Sequence, residues 1–137
     1  MQSQWIDDSI IRSLLQGDEC ILCMESAADF LGLFGGGYYD RIYVYSSKDI
    51  ARDGVETIKV SDLSVIESEE YDDIRCTTIE RTIADLLVCD RDYQSTVESM
   101  VRYYFRHNES WSGLVIPEEA RKRFEEYRED AINYYND

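Results

Sequence analysis

The sequence predicts one α+β domain, a small mixed or antiparallel sheet packed with helices and followed by a helical C-terminal half. Three observations carry this. Short runs rich in aromatic and β-branched residues, separated by turn formers, fill the middle of the chain. From Thr78 onward the apolar residues recur at helical spacing. A length of 137 residues with 44% hydrophobic side chains and a single proline suits one globular domain, residues 1–137, able to bury a sizeable core.

The elements follow in order. Apolar periodicity predicts a helix from Ile6 to Gln16 closed by Gly17, a short strand Cys20–Cys23, and a helix from about Met24 to Leu33. Gly35, Gly36 and Gly37 break that helix, and the "GGGYY" stretch reads as a connector because it lacks the Lys and Ser or Thr of a phosphate-binding loop. "RIYVYSS", "VETIKV", "LSVIES" and "DDIRCTT" read as four strands. Thr77 and Glu80 have capping-box spacing, so a helix is expected to start there. Its core stripe is Ile79, Ile83, Leu86 and Leu87, which turns Thr78, Arg81 and Asp85 outward. Arg81 and Asp85, one turn apart, are then expected to form an exposed ion pair adding a few tenths of a kcal/mol. Tyr93, Val97, Met100, Val101, Tyr104 and Phe105 mark the buried stripe of the next helix, and "HNESWSG" a loop. Pro117 suits a first helical position, ahead of a terminal stripe of Ala120, Phe124, Tyr127, Ala131 and Tyr134.

Charge narrows the function. Twenty-nine acidic against 14 basic side chains give a net charge of −15, which argues against direct DNA or RNA binding, since a nucleic-acid reader must neutralise phosphates with a basic face. The acids are clustered: "DLSVIESEEYDD", Asp62 to Asp73, has six and no base. Within it, Glu67, Glu69, Glu70, Asp72 and Asp73 form a candidate face for a basic protein partner, anchored to the core by Val65 and Ile66. No apolar run is long enough for a membrane helix and the N-terminus lacks the pattern of a signal peptide, so a cytoplasmic location without membrane contact is expected.

Nothing converges on catalysis. His107 is the single histidine and has no nucleophile at a recognisable spacing. Cys20 and Cys23 have the spacing of half a zinc site, but their counterparts Cys76 and Cys89 do not. In a regular strand the first pair points to opposite faces, so buried free thiols are expected, with no metal, no cofactor and no enzymatic activity.

"DDIRCTTIERTIADLL", Asp72 to Leu87, resembles the central pattern of the AbiEi-type antitoxin and transcriptional-regulator family, in which a strand leads into a "T-x-e-R-T-l-a-D-l-l" helix. "ESAADFLGL", Glu25 to Leu33, resembles the same family's "SAL-x-l-h-G-L" helix and lies in the expected order. The resemblance covers roughly residues 16–107, and its matching residues are Ser26, Gly32, Thr78, Arg81, Thr82 and Asp85. It implies an antitoxin-like protein-binding domain in a phage-defence or toxin–antitoxin setting, whose partner is a nucleotidyltransferase-like toxin. The winged helix that opens members of that family is not matched, so operator binding does not carry over. The matching residues are expected to act structurally, through capping, tight helix packing and a fixed Arg–Asp pair. The alternative suggested by the charge is an acidic phage- or mobile-element-encoded inhibitor, similar to anti-CRISPR proteins, that blocks the basic nucleic-acid groove of a defence protein.

Overall fold

The computed structural model describes residues 8–34 and 41–136, and these form one α+β unit. Helix α1 (Asp8–Leu15) leads through a left-handed Gly17 to strand β1 (Ile21–Leu22) and helix α2 (Met24–Phe30). Strands β2 (Ile42–Ser46), β3 (Val55–Lys59), β4 (Ser68–Tyr71) and β5 (Ile74–Thr77) follow, then helices α3 (Ile79–Val88), α4 (Tyr93–Arg106) and α5 (Arg121–Asn136).

The five strands lie in the order β3-β2-β1-β5-β4. β1 runs antiparallel to β2 and parallel to β5, β2 and β3 are parallel, and β4 and β5 form an antiparallel hairpin, so the sheet is mixed. The shortest strand is central: Ile21 and Leu22 are almost completely buried because the sheet covers both their edges and side chains of other elements cover both their faces.

Alternation sorts the core. Leu22, Ile42, Val44, Ile74 and Cys76 project to one face, where Ile11 and Leu15 of α1 and Ala27 of α2 close over them. Ile21, Cys23 and Tyr45 project to the other, against Leu86 of α3 and Ile66. Cys20 and Cys23 thus fall in separate clusters on opposite faces. β3 and β4 occupy opposite edges, so residues 60–67 must cross the sheet. Ile66 and the half-buried Leu63 place that strap on the face of Tyr45 and Leu86. "LSVIES" is therefore not one strand: Leu63–Val65 is a single 3-10 turn, capped by the Asp62 carboxylate accepting from the Ser64 N–H, and only Ser68 onward joins the sheet. Ile66 anchors the strap but Val65, expected to do the same, is 69% exposed.

The helical half has its own core, built from Ile83 and Leu87 of α3, Val97, Met100, Val101 and Tyr103 of α4, and Ala120, Phe124 and Ala131 beyond. α3 joins the two halves, with Leu86 facing the sheet. Two details of the expected stripes change. On α4 the fully buried aromatic is Tyr103, whose hydroxyl donates to the Ser112 carbonyl; Tyr93 is half exposed, and Tyr104 and Phe105 are half-buried. Pro117 caps a 3-10 turn, Glu118–Ala120, instead of opening the helix. The side chain of Tyr134 lies outside the described residues. Among the described residues no helix is long and apolar enough to cross a membrane.

Candidate functional site

The two residue groups singled out from the sequence meet at Arg81. Thr78, not Thr77, caps α3: its hydroxyl accepts from the Arg81 N–H at 3.1 Å. Thr77 is instead the last residue of β5, fully buried, and its hydroxyl lies 2.6 Å from that of Thr82, which also reaches the Thr78 carbonyl at 2.7 Å. The one-residue shift moves the cap off the Glu80 register and frees Thr77 to tie the strand to the first turn of the helix. The roles read from the sequence are therefore corrected: Thr78, expected to face outward, is the cap, and Thr77, expected to be the cap, is buried.

Asp85 is not on a solvent face. It is 7% exposed, because the sheet covers the flank of α3 opposite the helical core, and Thr82 through Leu87 are all buried. The Arg81 guanidinium donates to Asp85 Oδ1 at 2.8 Å and to Glu67 Oε1 at 2.7 Å, while the Tyr45 hydroxyl donates to Asp85 Oδ2 at 2.8 Å. Arg81 Cζ also sits 5.6 Å from the centre of the Tyr45 ring. The expected exposed pair is thus a partly buried four-residue network joining the strap, β2 and α3. Burial pushes the Asp85 carboxyl above its ordinary range, against the pull of Arg81 and the Tyr45 hydroxyl. Burial and the adjacent Asp85 carboxylate raise the Tyr45 phenol, so it stays protonated and donating.

A second set of the same kind lies two residues along β2 and had no local signal in the sequence. Arg91 makes a forked contact with Glu25, Nη2 to Oε1 at 2.8 Å and Nε to Oε1 at 3.0 Å, with its Cζ 4.5 Å from the centre of the Tyr43 ring. Ser26 acts beside it: its hydroxyl accepts from the Tyr43 N–H at 2.9 Å, fixing α2 to β2. Gly32 takes a left-handed φ of 75°, and its carbonyl accepts from Arg102 at 2.7 Å. Ser26, Gly32, Thr78, Arg81, Thr82 and Asp85 are thus all occupied within the fold.

The acidic stretch is more exposed but not bare. Glu69 and Glu70 lie on edge strand β4, and Asp72 and Asp73 form the β4–β5 turn, with Asp72 at a left-handed φ of 59°. Glu67 is bound by Arg81, Glu70 lies 3.4 Å from Arg75, Asp72 lies 3.8 Å from Arg12, and Asp73 accepts from Arg12. Glu69 accepts from the Tyr71 hydroxyl at 3.2 Å. Pairing within the chain therefore offsets much of the expected bare acidic face.

A cleft of about 720 Å³ opens between the strap, the α1–β1 turn and the hairpin. Asp18, Glu19, Glu67, Glu70 and Asp73 line it, against Arg12 and Arg75, so it carries an excess of negative charge. Three thiols are buried and Cys89 is exposed; burial pushes Cys20 up to about 11, far from thiolate reactivity. Among the described residues no group of three or more His, Cys, Asp or Glu is placed to hold a metal. The glycine turn and Tyr38 and Tyr39 lie outside the described residues. No family model, curated protein or solved structure matches the chain.

Proposed function

We propose that this chain is a non-enzymatic, antitoxin-like protein-binding domain acting in the cytoplasm in a phage-defence or toxin–antitoxin setting, with a nucleotidyltransferase-like toxin as its partner. The observation that carries the reading is the internal use of the motif. Thr78 caps α3, Thr82 ties it to Thr77 of β5, Arg81 and Asp85 tie it to the strap and β2, and Ser26 ties α2 to β2. A signature absorbed this way marks a scaffold and leaves recognition to the surface. The six matching residues act within the fold, though not all as expected: Gly32 serves by its left-handed φ, since a Cβ there would meet nothing closer than 3.9 Å.

The acidic-inhibitor alternative draws support from the net charge of −15. Against it, Glu67, Glu70, Asp72 and Asp73 each face an arginine of the same chain, which blunts their likeness to a row of phosphates. Coexpression with nucleotidyltransferase-like toxins tests the proposal: restored growth and a coeluting complex are expected with a cognate toxin. Inhibition of a nucleic-acid-dependent defence nuclease, with no effect on any such toxin, would favour the inhibitor instead. In either case a mobility shift at moderate salt should show no sequence-specific DNA retention.

A further inference from the structure

The outer edge of β4 has the backbone groups, the charge and the neighbouring cleft that an added strand requires. In an antiparallel ladder the residues that exchange hydrogen bonds recur every second position. The Thr78 N–H donates to the Glu67 carbonyl at 3.1 Å, and Glu69↔Cys76 and Tyr71↔Ile74 continue the same phase. The N–H and C=O groups of Ser68 and Glu70 therefore point away from β5, and they have no backbone partner among the described residues.

The same register sorts the side chains. Tyr71 pairs with the buried Ile74 and meets Phe30 edge-on at 5.4 Å, so this side of the edge is apolar apart from Glu69. Ser68 and Glu70 point to the other side, where Arg75 of β5 reaches both, into the cleft whose five acids, Asp18, Glu19, Glu67, Glu70 and Asp73, outnumber its two bases, Arg12 and Arg75. The opposite sheet edge, β3, carries one acid and one base, Glu56 and Lys59, and offers no such bias.

We infer that the β4 edge docks an extended partner segment in which basic and apolar side chains alternate. The segment's backbone pairs with Ser68 and Glu70, its Lys or Arg side chains enter the cleft, and its apolar side chains lie along Tyr71 and Phe30. Edge strands usually defend themselves with charge; here the charges repel a second acidic edge and attract a basic one. The inference rests on the protein-binding reading and specifies its surface.

The probe is a short dye-labelled peptide of alternating lysine and valine, titrated by fluorescence anisotropy against the full chain. Saturable binding that weakens with salt is expected, at least about tenfold tighter than to a peptide of the same composition with its lysines and valines in two blocks. Methylating the backbone nitrogens of the lysines in one analogue and of the valines in another should abolish binding of one of the two. E70P removes an N–H that the sheet does not use, so the fold should persist while binding is lost; E70Q should weaken binding severalfold at low salt only. No binding of the alternating peptide, equal binding of the block peptide, or undiminished binding of both methylated analogues would overturn the inference, whether or not E70P folds. Toxin neutralisation that E70P leaves intact would move the contact elsewhere and keep the protein-binding reading.

Discussion

Helix α3 and the β4–β5 hairpin carry the two groups of polar residues that the sequence singles out in the middle of the chain, yet the fold treats them in opposite ways. On α3 the polar side chains are drawn inward, with Thr82 fully buried and Asp85 nearly so, and each is matched to a specific donor or acceptor. On the hairpin the carboxylates stay in water, where Glu70, Asp72 and Asp73 meet arginines and Glu69 meets the Tyr71 hydroxyl, with Asp72 retaining 89% side-chain exposure. The same chemistry, carboxylate with guanidinium, is architecture in one place and surface in the other. Desolvation sets the difference: a buried pair is costly to break from one side, whereas an exposed pair adds little.

The sharpest way to break the comparison is Arg81→Met. It would leave Asp85 largely buried with only the Tyr45 hydroxyl, so a loss of about 3 kcal/mol is expected at neutral pH, where a surface pair would cost under about 1. The loss should shrink in acid. Burial already raises the Asp85 carboxyl in the folded state, and without Arg81 it should rise further. The folded form then holds a proton that the unfolded chain has released, and stability falls as pH rises through that window. Urea midpoints of parent and variant across the acid range check this; a small, pH-independent loss would mean that the pair behaves as a surface one.

Next in size is Thr82→Val, which keeps the shape but removes the hydroxyl shared with Thr77 and the Thr78 carbonyl. About 1 to 2 kcal/mol should be lost, because the buried Thr77 hydroxyl loses its partner. Thr78→Ala should cost about 1 kcal/mol through the lost cap, and Glu80→Ala much less, since Thr78 and not Thr77 caps the helix. Equal losses for Thr78→Ala and Glu80→Ala in thermal melts would restore the capping box expected from the sequence.

These residues also show where the sequence was legible. Helical periodicity located α3 and α4, and aromatic and β-branched composition located β2 and β5, because Ile83, Leu87, Val97, Met100, Val101, Ile42, Val44 and Ile74, which carry those signals, are core residues. Periodicity misassigned Asp85 because a stripe argument presumes one buried face, and α3 is covered on two sides, by the sheet and by the helical core. Glu25 and Arg91 had no signal at all: they are 66 residues apart and meet only when α2 and the α3–α4 turn come together. "RIYVYSS" was readable as a strand, but nothing in it marked Tyr43 and Tyr45 as the rings that the two guanidinia cover. The acidic stretch was found where it lies; what sequence could not supply was Arg12, whose approach from α1 pairs the turn.

The smallest expected effect lies where the two regions touch. Glu67 belongs to the acidic stretch but bonds to Arg81, and that hydrogen bond holds its carboxyl below the ordinary value of 4.5. A depressed carboxylate contributes stability that is complete above its ordinary value and fades as pH falls through the lowered one. Its side chain is 66% exposed, so solvent screening limits the contribution to a few tenths of a kcal/mol. Glu67→Gln should therefore lower the neutral-pH melting temperature by no more than about 2 °C and slightly flatten the acid limb of the stability profile, while the amide keeps a weaker contact with Arg81. Asp72→Asn with Asp73→Asn, read in the same melts, should change stability by less than about 0.5 kcal/mol. If Glu67→Gln instead costs as much as Arg81→Met, the polar tie between the strap and α3 is as structural as the buried pair itself. The boundary between scaffold and surface would then move outward to Ser68, where the free edge of β4 begins.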